Sequence, residues 1–246
     1  LMNQQFAVDV NNAIDDILDQ TKAQSSLIIF GSVIIENQRR YNSALCICSG
    51  ELIHRYDKQL LPNYDIFNES RYFEPGKQDP VCHWNGQAIG IQICEDIWVS
   101  ESTNYLIDPA KSFEHEDLSF IVHMSASPFE FDKLANRTKY LKQLAKRSGV
   151  PIISVNQVGA YSDIIFDGTS QVIDKNGTCI HQLKSFEIDI ATIEYPNNQT
   201  KANQMVAESK YENIRQAIQF GLTEYINRSG LNSVVIGVSG GIDSAL

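Results

Sequence analysis

The sequence predicts an α/β protein, and two kinds of pattern carry that expectation. Apolar residues recur at helical intervals in some stretches, and short runs rich in β-branched residues lie between them, ended by Gly, Pro or Asn. Helices and strands interleaved in this way build a sheet with buried faces.

Taken in order, residues 5–22 space Phe6, Val10, Ala13, Ile14, Ile17 and Leu18 as one helical stripe, and residues 26–31 read as the first strand. Residues 44–48 and 51–56 read as two strands around the Ser49-Gly50 turn. Further strands are expected at 88–94, 119–124, 151–155, 170–174 and 185–193. The clearest helix is 133–148, with Leu134, Leu141, Leu144 and Ala145 on one face and Gly149 closing it. Residues 197–206 read as a polar linker. A second amphipathic helix, 207–229, carries Tyr211, Ile214, Ala217, Ile218, Leu222 and Ile226 and leads to a short apolar strand at 233–238.

Composition narrows the function classes. The chain has 246 residues, 43% of them hydrophobic, with 20 Lys and Arg against 30 Asp and Glu, a formal net charge of -10. That balance, with no basic run, gives no footprint for nucleic acid or an anionic membrane. No run approaches the roughly 18 to 20 apolar residues of a membrane span, and no secretory pattern opens the chain, so it reads as cytoplasmic. The five cysteines are an odd number without CxxC spacing, which argues against a disulfide framework and a zinc site. Cys46 and Cys48 read as small buried side chains on one face of a strand.

Two segments carry chemistry. At the C-terminal end, Gly237, Val238, Ser239, Gly240, Gly241, Ile242, Asp243 and Ser244 follow the expected strand and open a helix. Bare backbone N–H groups at such a turn can cradle phosphate; a Gly-Gly turn that merely caps a helix explains the same residues. The match resembles the pyrophosphate-binding loop of the ATP pyrophosphatase group, which implies ATP and Mg2+ as substrates.

The second segment is 88–94, which ends on Cys94 and continues as Glu95-Asp96. Alternation puts Ile89, Ile91 and Ile93 on one face and Ala88, Gly90, Gln92 and Cys94 on the other. A sharp turn at the strand end would lift the sulfur into a cleft with N–H groups behind it, as nucleophile elbows do. Alone, the pattern is equally that of an unreactive buried cysteine.

Thirty-six residues before the thiol stands Lys58-Gln59-Leu60-Leu61-Pro62, followed by Phe67-Asn68-Glu69 and Phe73. Together these segments resemble the carbon–nitrogen hydrolase (nitrilase) superfamily, which implies an αββα sandwich. The resemblance makes Cys94 the nucleophile and Lys58 a holder of the tetrahedral oxyanion, with Glu69 as a second, orienting carboxylate. An amide carbonyl is a poor electrophile, so its attack needs a thiolate, positive charge where the oxygen becomes negative, and an acid for departing ammonia. A nearby Lys58 is expected to lower the thiol pKa.

The combination of this domain with the phosphate loop is similar to the glutamine-dependent NAD synthetases, and Ser125-Ala126-Ser127-Pro128 and Asn156-Gln157-Val158-Gly159 extend the likeness. It implies a glutaminase domain at 1–196, the 197–206 linker, and the start of a Rossmann-like synthetase domain at 207–246. The implied substrates are L-glutamine, ATP and deamido-NAD, the implied assembly is a homo-oligomer, and no cofactor is expected in the glutaminase portion. Tyr64, Ser127 and Lys133 stand where the family contacts glutamine, Lys133 suiting the α-carboxylate. Two departures occur: His123 replaces the family's usual Asn, and Tyr161-Ser162-Asp163-Ile164 replaces its Asn-Asp-Glu-Leu. The general-base glutamate of the superfamily is expected upstream of Leu1. The chain is therefore expected to be cut short at both ends and inactive alone. A free-standing amidase and a catalytically inactive binding module are the alternatives.

Overall fold

A computed structural model describes residues 3–99, 105–194 and 210–245. The expected linker at 197–206 lies outside them. Helix α1 (Gln4–Gln20) opens the chain, capped by the Asn3 side chain on the Gln5 N–H. Its expected stripe is half-buried and leads into the hairpins β1 (Ile28–Glu36), β2 (Arg39–Cys48) and β3 (Glu51–Asp57), an antiparallel sheet in the order β1-β2-β3. Both of its turns use left-handed residues, Asn37 and Gln38 in one, Ser49 and Gly50 in the other.

The chain then crosses to β4 (Val81–Trp84), turns at Asn85-Gly86, and runs through β5 (Gln87–Ile93), β6 (Leu118–Ser125), α2 (Lys133–Ser148) and β7 (Ile152–Asn156). A separate hairpin of β8 (Val158–Tyr161) and β9 (Ile164–Asp167) precedes β10 (Gln171–Ile173) and β11 (Cys179–Gln182). The second sheet has the order β11-β10-β7-β6-β5-β4, with β5, β6 and β7 parallel. Parallel neighbours place the carboxyl ends of β5, β6 and β7 at one rim.

Two apolar layers hold the sheets. Ala44, Cys46 and Tyr56 of the small sheet meet Cys82, Ile89, Ile91, Ile93 and Val122 of the large one. On the outer face, Ala88, Ile121, Ile152 and Ile173 lie under Phe113 and the α2 residues Leu141, Leu144 and Ala145. Each buried leucine there contributes about 2 kcal/mol. Helix α2 starts and ends where its periodicity places it, and Gly149 closes it at φ +71°. Its buried face also includes Arg137 and Thr138, which the apolar pattern did not mark.

Two expected strands do not form. Residues 185–193 contribute only a bridge from Ser185 to Gly168, and Ile188 and Ile190 are exposed. Their alternation specifies a face without supplying a neighbour, and the chain folds back locally instead, the Lys184 N–H bonding the Asp189 side chain. Residues 233–238 are likewise exposed and unpaired among the described residues, and a strand needs a partner for its backbone. Helix α3 (Lys210–Arg228) forms within the expected 207–229, of which residues 207–209 lie outside those described. It seats on β8–β9: Gly221 passes close to Ile165, and the Arg228 guanidinium sits 4.2 Å from the Tyr161 ring centre. Four residues, Ile242–Ala245, form a final helical turn. No described helix is long and apolar enough to cross a membrane.

Candidate active site

Lys58 leaves β3 with its backbone fastened at both sides. Its N–H donates to Asn42 O and its carbonyl accepts from the Gly76 N–H, both at 2.8 Å. Gly76 packs so closely on the Asp57 backbone that no side chain fits. The Lys58 side chain is 1% exposed, and a buried ammonium needs a counter-charge. Glu69, from the short 3-10 turn Glu69–Arg71, supplies it with both oxygens at 2.7 Å.

Cys94 ends β5 and starts the 3-10 turn Cys94–Ile97 with φ +47°, a left-handed backbone that a residue other than glycine holds only under restraint. The sequence placed its side chain with Ala88, Gly90 and Gln92. In the structure Cys94 instead packs partly against the core between the sheets, because the left-handed turn breaks the alternation. The Asp96 carboxylate restrains this turn: it accepts from the Ile93 and Leu60 N–H groups at 3.0 Å and from the Tyr56 hydroxyl at 2.9 Å. Leu60 belongs to the lysine segment, so Asp96 ties the two chemical segments together. Behind the turn, the His123 ring meets Cys94 O through Nε2 at 3.2 Å and Ser154 Oγ through Nδ1 at 2.9 Å.

The charges around the sulfur are mixed. Burial pushes the Cys94 thiol above its ordinary value, while the Lys58 ammonium and the Ser125 hydroxyl pull it down without winning; Glu95 and Glu69 add to the rise. This corrects the expected lowering: Lys58 acts in the expected direction, but desolvation outweighs it. Glu95 is buried and accepts from the Tyr64 hydroxyl at 2.9 and 3.0 Å and from Tyr105. Burial, then the Glu95 charge, raises the Tyr64 phenol.

Of the expected glutamine contacts, Tyr64 spends its hydroxyl on Glu95. Ser127 is buried just past β6, its N–H held by the Asn156 side chain at 2.9 Å. Lys133 opens α2 with its ammonium 5.2 Å from the centre of the Trp98 ring and 3.2 Å from Glu130. All three lie toward the rim where β5 and β6 end. Below Ser127, Arg137 pairs with Asp167, and Asn156 bonds Asp167 and Gly168 O. A cavity of about 860 Å³ lined by Phe129, Phe186 and Phe220 contains neither Cys94 nor Lys58.

Sequence reasoning assigned no role to Asp96, Glu95, Tyr105, Ser125 or Ser154. Asp96 and Glu95 adjoin Cys94 in the sequence and Ser125 opens the Ser-Ala-Ser-Pro run; Tyr105 and Ser154 carry no local signal.

The expected phosphate-loop residues run from Gly237 through Val238, Ser239 and the bend at Gly240 and Gly241 into Ile242, Asp243 and Ser244 of the final helical turn. The Ser239 N–H donates to Ser244 Oγ at 3.0 Å and the Gly241 N–H to Ser239 Oγ at 3.4 Å. These donors turn onto the loop's own serines, so a phosphate would have to displace those hydroxyls. Among the described residues no cluster of His, Cys, Asp and Glu could hold a metal.

Fold and side-chain arrangement define a class: a layered αββα fold of the hydrolase kind, with a thiol on a left-handed turn and a paired, buried lysine whose charge acts on it. Comparison with known proteins gives the family. Residues 12–203 match the model of the carbon-nitrogen hydrolases, and the chain belongs to that family. It is 34% identical over 243 residues to the glutamine-dependent NAD(+) synthetase of Acinetobacter baylyi, covering 97% of this chain and 44% of that protein. The Synechocystis enzyme of the same name is 30% identical over 263 residues, covering 100% and 47%. The structure of the Acinetobacter baumannii glutamine-dependent NAD+ synthetase in complex with ADP superposes with a TM-score of 0.84 at 33% identity, covering 96% of this chain and 45% of that one. A nitrilase-superfamily amidase of Nesterenkonia, at 20% identity and a TM-score of 0.61 over 72% of this chain and 64% of its own, shares the fold. The chain thus spans about half the length of the synthetases it matches.

Proposed function

We propose that this chain is the ammonia-supplying part of a glutamine-dependent NAD synthetase. The Cys94 sulfur attacks the side-chain amide carbon of L-glutamine, and charge developing on the carbonyl oxygen is met by Lys58. The C–N bond breaks, nitrogen takes the proton that the thiol gives up and leaves as ammonia, and water then cleaves the thioester, giving glutamate and returning a proton to the sulfur. Tyr64, Ser127 and Lys133 form the amino-acid pocket, with Lys133 meeting the α-carboxylate. The ammonia amidates deamido-NAD in an ATP-dependent step with Mg2+, for which residues 237–244 supply part of the phosphate loop. The division at 1–196, 197–206 and 207–246 belongs to this reading, as do a homo-oligomer and a cytoplasmic setting.

The observation that carries the proposal is the bond from the Leu60 N–H to Asp96, which fastens the Lys58 segment to the Cys94 turn. The test uses the full-length protein. Cys94→Ala is expected to abolish NAD formation driven by glutamine and to leave formation driven by added ammonia. Equal loss with both nitrogen sources would count against it.

The 246-residue chain alone is expected to turn glutamine over little or not at all. Of the two carboxylates whose charge acts on the Cys94 thiol, Glu69 bonds Lys58 through both oxygens and Glu95 accepts from two tyrosines, so both are already engaged away from the sulfur. Sustained release of ammonia from glutamine by this chain would overturn that expectation.

A further inference from the structure

The left-handed backbone at Cys94 needs restraint from its surroundings, and one side chain acts on the peptide unit of Cys94 itself. The register pairs Gln92 of β5 with His123 of β6 and His123 with Ser154 of β7, so the three lie in one row across the sheet. At the end of β5 the chain turns over this row, which brings Cys94 O to His123 Nε2.

His123 is 0% exposed, and burial lowers its pKa to about 4, with Arg137 and Lys58 adding to the fall against the bond to Cys94 O. The ring is therefore neutral at physiological pH, with one donor and one acceptor nitrogen. A peptide carbonyl can only accept, so the proton sits on Nε2. Nδ1 is then bare and accepts the Ser154 hydroxyl hydrogen. Ser154 is itself buried, and its bond to Nδ1 selects the tautomer that Cys94 O requires.

We propose that His123 is a positioning residue: its neutral imidazole, held in one tautomer by Ser154, grips the Cys94 carbonyl and so fixes the direction in which the thiol points. This rests on the reading that Cys94 is the nucleophile of an amide hydrolase. His123 touches neither substrate nor the reacting atoms. Asp96 restrains the turn from the amides before and across it, at Ile93 and Leu60, whereas His123 restrains the peptide unit that leaves Cys94.

The test is made in the full-length protein with two readouts: steady-state glutamine hydrolysis, and the rate at which iodoacetamide alkylates Cys94, followed by mass spectrometry. His123→Leu keeps an apolar volume and removes the donor. Its kcat is expected to fall about 100-fold, the scale of a misplaced reacting group, while KM stays near its original value. Cys94 alkylation should slow with it. His123→Gln restores an N–H donor and should recover most of both rates. Ser154→Ala leaves the ring in place, frees Nδ1, and should lower both rates about 10-fold, the scale of one buried hydrogen bond.

A folded His123→Leu protein with unchanged kcat and alkylation overturns the proposal. So does a loss confined to melting temperature. If His123→Leu does not fold, the other two variants decide: unchanged rates in Ser154→Ala, or a His123→Gln protein that folds but stays slow, overturn it equally. A wild-type protein that does not hydrolyse glutamine while Cys94 still alkylates refutes the proposed function alone, and the alkylation rates then decide the role of His123.

Discussion

Acid acts in opposite directions on two buried groups that bond the Cys94 turn, Asp96 and His123. Burial raises Asp96 to about 6 from an ordinary 3.8, so the folded state keeps its proton longer. That contribution is complete below about pH 3.8 and is lost as pH rises through 6. His123 is lowered to about 4 from 6.5, so its contribution is complete above about pH 6.5 and is lost as pH falls through 4. Each amounts to about 3 kcal/mol, and between pH 4 and 6 they offset one another. Replacing His123 by Gln removes one arm: the variant should gain melting temperature relative to wild type as pH falls from 6.5 to 4, and parallel curves would refute the assignment. The Lys58–Glu69 pair gives a second prediction. Glu69→Gln strands an ammonium that is 1% exposed and should cost about 3 kcal/mol in urea unfolding. An unchanged midpoint would mean that the pair does not form. Cys94 and Lys58 were legible in the sequence because each sits in a compact motif. Apart from the bond between Asp96 and Ile93, Asp96 and His123 matter through partners 29 to 40 residues away, and no local pattern announces those.

Helix α2 shows what an element reveals of itself: periodicity, a basic last turn and a closing glycine all come from neighbouring residues, and its ends fell where they were expected. The hairpin signal Asn85-Gly86 was present in the sequence and went unread, which hid β4. Residues 185–193 and 233–238 fail for the opposite reason, since strandedness belongs to a pair. Two glycines separate conformation from contact. At Gly149 nothing lies within 4 Å, so Gly149→Ala meets only the strain of φ +71° and should cost about 1 kcal/mol of stability while activity persists. At Gly76 a methyl group would collide with the Asp57 backbone and push on the segment that carries Lys58. Gly76→Ala should therefore abolish glutamine hydrolysis even where the protein folds, and circular dichroism beside the activity assay separates the outcomes. Wild-type turnover in Gly76→Ala would show that this close approach does not position Lys58.

At the scale of the whole molecule, the interleaved helical and strand-like patterns predict an α/β class, and the layered order comes from the motif resemblance. Nothing in the residue pattern shows that a three-stranded sheet faces a six-stranded one, because both sheets read locally as hairpins and apolar runs. On the proposed division of labour, glutamine hydrolysis by the full-length protein should survive a chelator while ATP-dependent amidation stops. Loss of the first reaction on chelation would contradict that division. The bent backbone at Cys94 sets global stability against catalysis. Glycine adopts that shape freely and alanine does not, so Cys94→Gly should melt above Cys94→Ala, by about 1 kcal/mol, the reverse of their order inside an ordinary helix or strand. Relaxing the fold at this position and disarming it are the same mutation.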